Sequence, residues 1–250
     1  MIDADILRYE VGYSAKVKWC GTHEVDEEPP ADFVVQEFFN KINYIKQMTE
    51  SDNYELYLTD IDQIGHRYFV AESKPYKGQR GDKRPWHFKN LTALCRGLGA
   101  IEVSGIEADD AIATRHCGGH GETIVCSRDK DFKQLPGWLF SWELGRQPRF
   151  GPKEITPYQG FEFFCRQMIE GDQADNIPGL PNHGKRASDK AVADCLSPLE
   201  LLEALQDLYR KVKGPMWMDY FEEQATLLWL QRKPGEWWSW DVMEEECLNY

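Results

Sequence analysis

Three clusters of carboxylates are the residues of this chain whose types and spacing are best suited to chemistry. They are Glu107-Ala108-Asp109-Asp110, Ser127-Arg128-Asp129-Lys130-Asp131-Phe132 and Asp172-Gln173-Ala174-Asp175. The second follows residues 123–126, an apolar run that predicts a buried strand. Carboxylates that converge repel one another unless cations lie between them, and oxygen ligands suit hard divalent cations. The clusters therefore predict a site for Mg²⁺ or Mn²⁺.

Two further acids, Asp3 and Asp60, follow the first and second predicted strands. In an open α/β sheet, ligands bind at the carboxyl ends of the strands. Each acid also has an ordinary interpretation: Asp60 suits a turn, residues 107–110 suit a helix N-terminus, and residues 127–132 suit a solvated loop. Together they favour a site for two ions, and two ions roughly 3.5–4 Å apart serve phosphodiester hydrolysis well.

A basic segment interrupts an otherwise acidic chain. The formal net charge is −13, which argues against a general nucleic-acid binder. Residues 74–89 nevertheless contain Lys74, Lys77, Arg80, Lys83, Arg84 and Lys89, interleaved with the aromatic residues Tyr76, Trp86 and Phe88. The segment is either a solvated loop or a mobile element that meets phosphate and stacks on bases.

A glycine-containing turn at residues 179–187 precedes a predicted helix. Backbone N–H groups at such a helix start can hold a phosphate, and Lys185 and Arg186 would add positive charge. The turn runs from Gly179 to Gly184 and is a weak signal alone, but its position after Asp172 and Asp175 strengthens it.

The alternation of strands and helices predicts an α/β fold, with a mainly parallel twisted sheet flanked by helices over residues 1–150. The first helix is expected to end near residue 12, Asp32 to cap the second, residues 61–90 to form a loop, and residues 139–142 the last strand. Beyond residue 153 the pattern predicts only helices, at residues 158–169, 185–195, 198–212 and 216–230. Residues 151–250 are therefore expected to form a helical lobe, in which the tryptophans of the tail belong to the core.

Cysteine usage and hydropathy indicate the compartment. The chain has 7 cysteines with no Cys-x-x-Cys spacing, which is typical of a reduced intracellular protein. No apolar run has membrane-spanning length, so we expect no membrane association and a cytoplasmic location, in the host cell if the protein is viral.

The order of these motifs resembles the flap-endonuclease-like 5′ nuclease superfamily, and is most similar to the short 5′-to-3′ exonucleases of T-odd bacteriophages. Asp3-Ala4-Asp5 resembles its opening metal-binding Asp-Gly segment, and Tyr76-Lys77-Gly78-Gln79-Arg80 its basic Tyr-Lys-x-x-Arg motif. The first two acidic clusters match the Glu-x-Asp-Asp and Asp-x-Asp motifs. Residues 171–179, Gly-Asp-Gln-Ala-Asp-Asn-Ile-Pro-Gly, match the stretch that leads into a helix–three-turn–helix element. The resemblance covers residues 1 to about 190.

The resemblance implies a PIN-like nuclease core, a lobe that contains the helix–three-turn–helix element, two Mg²⁺ or Mn²⁺ ions and hydrolysis from a DNA 5′ end. It implies that Lys77 and Arg80 stabilise the scissile phosphate and that Gly179, Gly184, Lys185 and Arg186 grip duplex DNA, with a K⁺ ion at that turn. The implied ligands of the first ion, directly or through water, are Asp3, Asp60, Glu107, Asp109 and Asp110. Those of the second ion are Asp129, Asp131, Asp172 and Asp175.

Three departures bear on these expectations. Ala4 replaces the family's glycine, and Asn182 stands in the turn where glycine is common. The stretch between Lys77 and Glu107 leaves little room for a helical arch that threads a single strand. We therefore expect an exonuclease acting on duplex ends or gaps, with flap or RNA-primer removal as secondary activities. A PIN-type ribonuclease and a non-catalytic DNA-end-binding protein remain alternatives.

Overall fold

The computed structural model describes residues 1–60, 62–81, 83–119 and 123–248. Its centre is a six-stranded sheet in the order β3-β2-β1-β4-β5-β6, in which every pairing is parallel except that of β5 with β6. The strands are β1 (Ile2–Asp3), β2 (Leu56–Thr59), β3 (Ile101–Val103), β4 (Ile124–Cys126), β5 (Gly137–Ser141) and β6 (Phe150–Ile155). The predicted α/β fold with a mainly parallel sheet is confirmed.

Helices flank the sheet and form most of the region after it. Those of the first part are α1 (Ala4–Cys20), α2 (Ala31–Met48), α3 (Arg67–Val70), α4 (Phe88–Gly97) and α5 (Ala108–Cys117). Those of the second part are α6 (Pro157–Glu170), α7 (Lys185–Val192), α8 (Pro198–Lys213), α9 (Trp217–Leu228) and α10 (Trp240–Leu248). Short 3₁₀-helices lie at Lys130–Gln134 and Gly214–Met216. Within the described ranges, no helix combines the length and the apolar character needed to cross a bilayer.

The first two helices differ from the prediction at their ends. The expected end of α1 near residue 12 is wrong: the helix continues to Cys20 and stops at Gly21, whose φ of 71° is left-handed. Asp3 caps its start by accepting a hydrogen bond from the Ile6 N–H. The expected cap at Asp32 is also wrong, since Pro30 occupies the N-cap position of α2 without a side-chain cap and Asp32 lies in the first turn.

Strand β6 was missed, and it extends the sheet beyond the expected boundary. Its sequence contains Gly151, Pro152 and two charged residues, so it lacks the apolar alternation of a strand with one buried face. It pairs antiparallel with β5 at the edge of the sheet, where such residues are tolerated. The predicted boundary between residues 150 and 151 falls inside this strand, and the continuous helical region starts after Ile155.

The basic segment lies between helices, and two of its three aromatic side chains are buried, contrary to expectation. Its flanks contain α3 and the start of α4 rather than loop alone. Tyr76 and Phe88 are each only 4% exposed, so neither can stack on a base as predicted. Tyr76 packs in the apolar core of the helical region, and Phe88 lies beneath Arg8. Of the three aromatic residues only Trp86, 42% exposed, remains accessible.

The tryptophans of the tail divide between core and surface. Trp238 is buried, and the rings of Trp238 and Trp240 both contact Phe221 of α9. Trp237 is partly exposed and contacts the ring of His66. Helix α10 begins at Trp240 and was not predicted, although its tryptophan was expected to be in the core.

Replacing Gly160 of α6 by alanine should destabilise the protein by about 1–3 kcal/mol, because overpacking strains a close contact. An added Cβ would lie 2.5 Å from the backbone oxygen of Gln134. Chemical denaturation measures the loss. Gly97→Ala is the matched control, since nothing lies within 4 Å of its Cβ, and it should be neutral or stabilising. Equal stability of the two variants would contradict the close packing of α6 on the 3₁₀-helix at Lys130–Gln134.

Candidate active site

The predicted ligands of the central strands meet where the strand order reverses. β1 and β4 are neighbours there, which is the switch point at which open α/β sheets bind ligands. Asp3 ends β1, and its Oδ2 accepts a 2.8 Å hydrogen bond from the Ser127 hydroxyl, directly after β4. The Ser127 hydroxyl oxygen in turn accepts from the Asp129 N–H at 2.9 Å. Short strands with tight turns thus place Asp3 and Asp129 beside each other.

The first acidic cluster lies at the start of α5. Glu107 occupies the N-cap position, and the Ala108 N–H donates to the Thr59 hydroxyl at 2.9 Å, which fixes the helix to the end of β2. Arg67 of α3 lies against all three acids, at 2.9 Å from Glu107, 3.8 Å from Asp109 and 2.8 Å from Asp110. The cluster is therefore built around a buried guanidinium.

In the structure the second and third acidic clusters of the sequence merge into one, the second cluster, where the turn after β4 meets the turn after α6. Asp131 accepts a 2.7 Å hydrogen bond from Gln167 of α6, and Asp172 forms a 3.0 Å ion pair with Lys130. Asp175 accepts a 3.0 Å hydrogen bond from the Tyr76 hydroxyl. Each of these carboxylates therefore has a specific polar partner within the protein.

The basic motif lies between the two clusters. The Lys77 ammonium pairs with Glu107 and lies 4.0 Å from Asp175, while Arg80 pairs with Asp175. The Tyr76 hydroxyl donates at 2.7 Å to the Glu107 oxygen that also accepts from Arg67. Lys77 has a φ of 52°, an uncommon conformation for a residue other than glycine, and its N–H donates to the Asp175 carbonyl at 2.9 Å. Lys77 and Arg80 thus lie beside acids of both clusters.

Burial and mutual repulsion govern the electrostatics of the site. Burial, with the charge of Asp5, raises the pKa of Asp3 to about 7. Burial likewise raises the pKa of Asp129, and burial together with the charges of Asp129 and Asp172 raises that of Asp131. Glu107 is the exception: burial opposes its ionisation, but Lys77 and Arg67 lower its pKa to about 2. Asp3, Asp129 and Asp131 therefore resist ionisation, whereas Glu107 between two cations stays ionised.

The donor chemistry fits hard divalent cations, but protein cations hold the acids in this structure. Carboxylate oxygens are the ligands that Mg²⁺ and Mn²⁺ prefer. Among the described residues, no three His, Cys, Asp or Glu side chains lie close enough to share one ion. Lys77, Arg80 and Lys130 instead make ion pairs with Glu107, Asp175 and Asp172.

Two predicted ligands are engaged elsewhere. Asp60 lies in a turn and accepts a 3.0 Å hydrogen bond from the Asp62 N–H. Asp110 is 0% exposed, and its oxygens accept from Arg67 and from the Gln231 N–H. Asp5, unlike Asp60, interacts with residues of the site. Its carboxylate accepts a hydrogen bond from the Thr59 hydroxyl, and its charge raises the pKa of Asp3.

Several residues of the site were not singled out from the sequence. Asp5 was quoted only as part of a motif, although its spacing from Arg8 suits the ion pair of 2.6 Å that they form. Lys130 lies between two aspartates, which was a usable signal. Arg67 and Gln167 gave none, because their partners are distant in sequence.

The predicted DNA-binding turn is a compact loop before α7. Gly179 has a φ of 60°, and a Cβ there would lie 2.3 Å from the Gly171 nitrogen, so glycine is required. Gly184 is exposed at the N-cap of α7. Lys185 is 76% exposed and pairs with Asp189 at 3.0 Å, and Arg186 is exposed. The turn therefore presents cations to solvent.

The metal-free protein should lose stability between about pH 4 and about pH 7 through Asp3. Its pKa is raised to about 7 in the folded chain, whereas an unfolded aspartate titrates near ~3.9. The folded state keeps a proton that the unfolded state releases, so the free energy of unfolding falls as pH rises, by roughly 4 kcal/mol in total. Chemical denaturation with a chelator measures this slope. Asp3→Asn should lack this part of it, and an unchanged slope would contradict the assignment.

Comparisons with known proteins find relatives of this chain by sequence and by fold. No protein-family model matches the chain. It is similar to flap endonuclease Xni of Shewanella frigidimarina, with 34% identity over 42% of this chain and 42% of that protein. It is also similar to DNA polymerase I of Bacillus subtilis, with 29% identity over 62% of this chain and 19% of the polymerase. The chain thus spans about half or less of the length of these curated relatives.

Solved structures show the same fold along almost the whole chain. A bacteriophage T5 5′-exonuclease with bound zinc ions matches with a TM-score of 0.58 and 15% identity, over 99% of this chain and 96% of that one. A T5 flap endonuclease in complex with DNA and metal ions matches with a TM-score of 0.55 over the same shares. The fold and the sequence similarity confirm that this chain resembles the flap-endonuclease-like 5′ nuclease superfamily, whose fold it has.

Proposed function

We propose that this chain is a divalent-metal-dependent 5′-to-3′ exonuclease that hydrolyses duplex DNA from 5′ ends or gaps, with flap or RNA-primer removal, in bacteriophage DNA replication or recombination. The observation that carries the proposal is the position of Lys77 and Arg80. They pair with Glu107 and Asp175, one acid from each cluster, so the cations of the basic motif lie beside both groups of carboxylates. A phosphate bound there would meet both kinds of group.

The acids would hold two Mg²⁺ or Mn²⁺ ions. Glu107, Asp109, Asp3 and the neighbouring Asp129 would face the first ion. The remaining acids of the second cluster, Asp131, Asp172 and Asp175, would face the second ion. Asp110 would act through Arg67, because its own oxygens are occupied. When bound, such ions lower the pKa of an attacking water and stabilise charge on the phosphate and leaving group.

Lys77 and Arg80 would stabilise the scissile phosphate. Their ion pairs help to neutralise Glu107 and Asp175, and Arg67 contributes at Glu107. On substrate binding both side chains would transfer hydrogen bonds to the non-bridging oxygens, where negative charge grows in the transition state. Preorganised donors of this kind usually make the largest electrostatic contribution to catalysis.

The turn before α7 would determine how the duplex is held. Lys185 and Arg186 at the start of α7 would bind the duplex backbone, as helix N-termini with added cations do. The T5 relative of the same fold was solved with DNA and metal ions. The K⁺ ion that the family resemblance implies at this turn stays a prediction.

The basic segment favours DNA ends and gaps over threaded flaps. The Tyr13 hydroxyl of α1 donates to the Lys83 carbonyl at 3.0 Å, and α4 with β3 occupies nearly half of the chain between Lys77 and Glu107. Little length remains for an arch that would enclose a single strand. We therefore place end and gap digestion first among the activities.

The proposed activity predicts release of nucleotides from 5′-labelled duplex DNA with Mg²⁺ and none with chelator. Gapped duplex, 5′ flap and single-stranded RNA are the parallel substrates. Faster cleavage of the RNA would favour the PIN-type ribonuclease, and binding of DNA ends without cleavage in Mg²⁺ or Mn²⁺ would favour the non-catalytic alternative. Opposite end labels establish the polarity.

Asp172→Asn should abolish Mg²⁺-dependent cleavage and leave the protein folded. The variant keeps an oxygen for the Ala174 N–H, which donates to Asp172 at 2.7 Å, but loses the negative charge that Asp172 contributes to the second cluster. Initial rates on labelled duplex and thermal unfolding are the measurements. Asp207→Asn, on the exposed surface of α8, is the control and should cleave normally. Full activity of Asp172→Asn would refute the assignment of this acid.

Lys77→Ala should lower kcat by about 100- to 1000-fold and change KM much less, as expected for a donor that acts in the transition state. Steady-state kinetics on gapped duplex measure both constants. Lys185→Ala is the matched comparison, since its exposed ammonium would contact only the duplex backbone and its loss should raise KM. If Lys77→Ala weakened only binding, the transition-state role would be wrong.

A further inference from the structure

Arg67 is a buried arginine beside the first acidic cluster, and all of its N–H groups donate hydrogen bonds. It is 2% exposed. Its Nε donates to the Leu227 carbonyl at 3.1 Å, Nη1 to Glu107 at 2.9 Å and to Asp110 at 2.8 Å, and Nη2 to Asp110 at 2.8 Å and to the Trp229 carbonyl at 2.7 Å. A guanidinium has five N–H donors. Every one of them has an acceptor.

Glu107 depends on this arginine from its buried side. One Glu107 oxygen accepts from Arg67 and from the Tyr76 hydroxyl, and the other pairs with Lys77. Lys77 is the cation that would turn to phosphate, so its hold on Glu107 would end when substrate binds. Arg67 has no such freedom, because Asp110 and two carbonyls fix it. It is the cation that would keep Glu107 oriented throughout a catalytic cycle.

The same arginine connects the acids to the predicted DNA-binding turn. Leu227 and Trp229 lie at the C-terminal end of α9, where helix carbonyls lack intrahelical partners. Earlier in α9, Gln224 accepts from the Gly179 N–H at 3.0 Å, and the Tyr220 hydroxyl donates to the Gly179 carbonyl at 2.6 Å. One helix thus contacts the turn at one end and Arg67 at the other.

We propose that Arg67 is a positioning residue that holds Glu107 in the orientation for cation binding and fixes that orientation relative to α9 and the DNA-binding turn. The proposal rests on the proposed nuclease function. Lysine cannot replace the arginine, because its single ammonium cannot serve the paired oxygens of Asp110, the Glu107 oxygen and two carbonyls at once.

The test compares Arg67→Lys with Arg232→Lys. Arg232 is also a buried arginine near α9, and it pairs with Glu246, outside the acidic clusters. Titration calorimetry with Mn²⁺ alone, thermal unfolding with chelator and steady-state kinetics are measured on the full chain. Arg67→Lys should bind Mn²⁺ about 10- to 100-fold more weakly and lose kcat more than it changes KM, as outer-shell changes at metal sites do. Arg232→Lys should lower thermal stability alone.

The outcomes separate the two proposals. If the wild-type chain binds no Mn²⁺, both proposals fail. If it binds Mn²⁺ and cleaves DNA but Arg67→Lys loses only stability, as the control does, the positioning role alone is overturned. If Arg67→Lys does not fold, the neutral pair Arg67→Gln with Asp110→Asn replaces it, because that pair leaves no lone buried charge. Wild-type Mn²⁺ affinity in the pair would overturn the role, and a comparable loss would support it.

Discussion

Repulsion among carboxylates at the carboxyl edge of the sheet is the constraint on which the rest of the structure depends. Asp3, Asp129 and Asp131 lie close together at this edge, and burial raises the pKa of each. Cations of the chain neutralise the acids that remain ionised, as Lys77 and Arg67 do for Glu107. A group of carboxylates with this balance favours added positive charge, which is the property a divalent-metal nuclease needs.

The scaffold positions these carboxylates from three directions. The sheet supplies Asp3 and the turn after β4, because parallel strands end at one edge and the strand order reverses between β1 and β4. Helix α6 supports the second cluster through Gln167, and α9 supports the first through the two carbonyls that accept from Arg67. The basic motif crosses between them. Function in this account belongs to the contacts among these elements rather than to any one motif.

Features created by residues close in sequence could be predicted, whereas features created by contacts between distant residues could not. The parallel strands, α6 to α9 and the acids at strand ends are local patterns, and the sequence revealed them. Strand β6 was missed because its Gly151 and Pro152 gain a strand conformation only by pairing with β5 at the sheet edge. Arg67 was missed because its partners lie 40 to 162 residues away. Tyr76 and Phe88 were expected at the surface because their neighbours in sequence are polar. Contacts with residues distant in sequence bury both side chains.

Anomalous diffraction from crystals soaked in Mn²⁺ tests the central claim most directly. We expect two peaks among the carboxylates, roughly 3.5–4 Å apart, one beside Glu107 and Asp3 and one among the acids of the second cluster, with the Lys77 ammonium moved away from Glu107. A site without Mn²⁺ peaks, in which Lys77, Arg80 and Lys130 keep their ion pairs at saturating metal, would contradict the central claim.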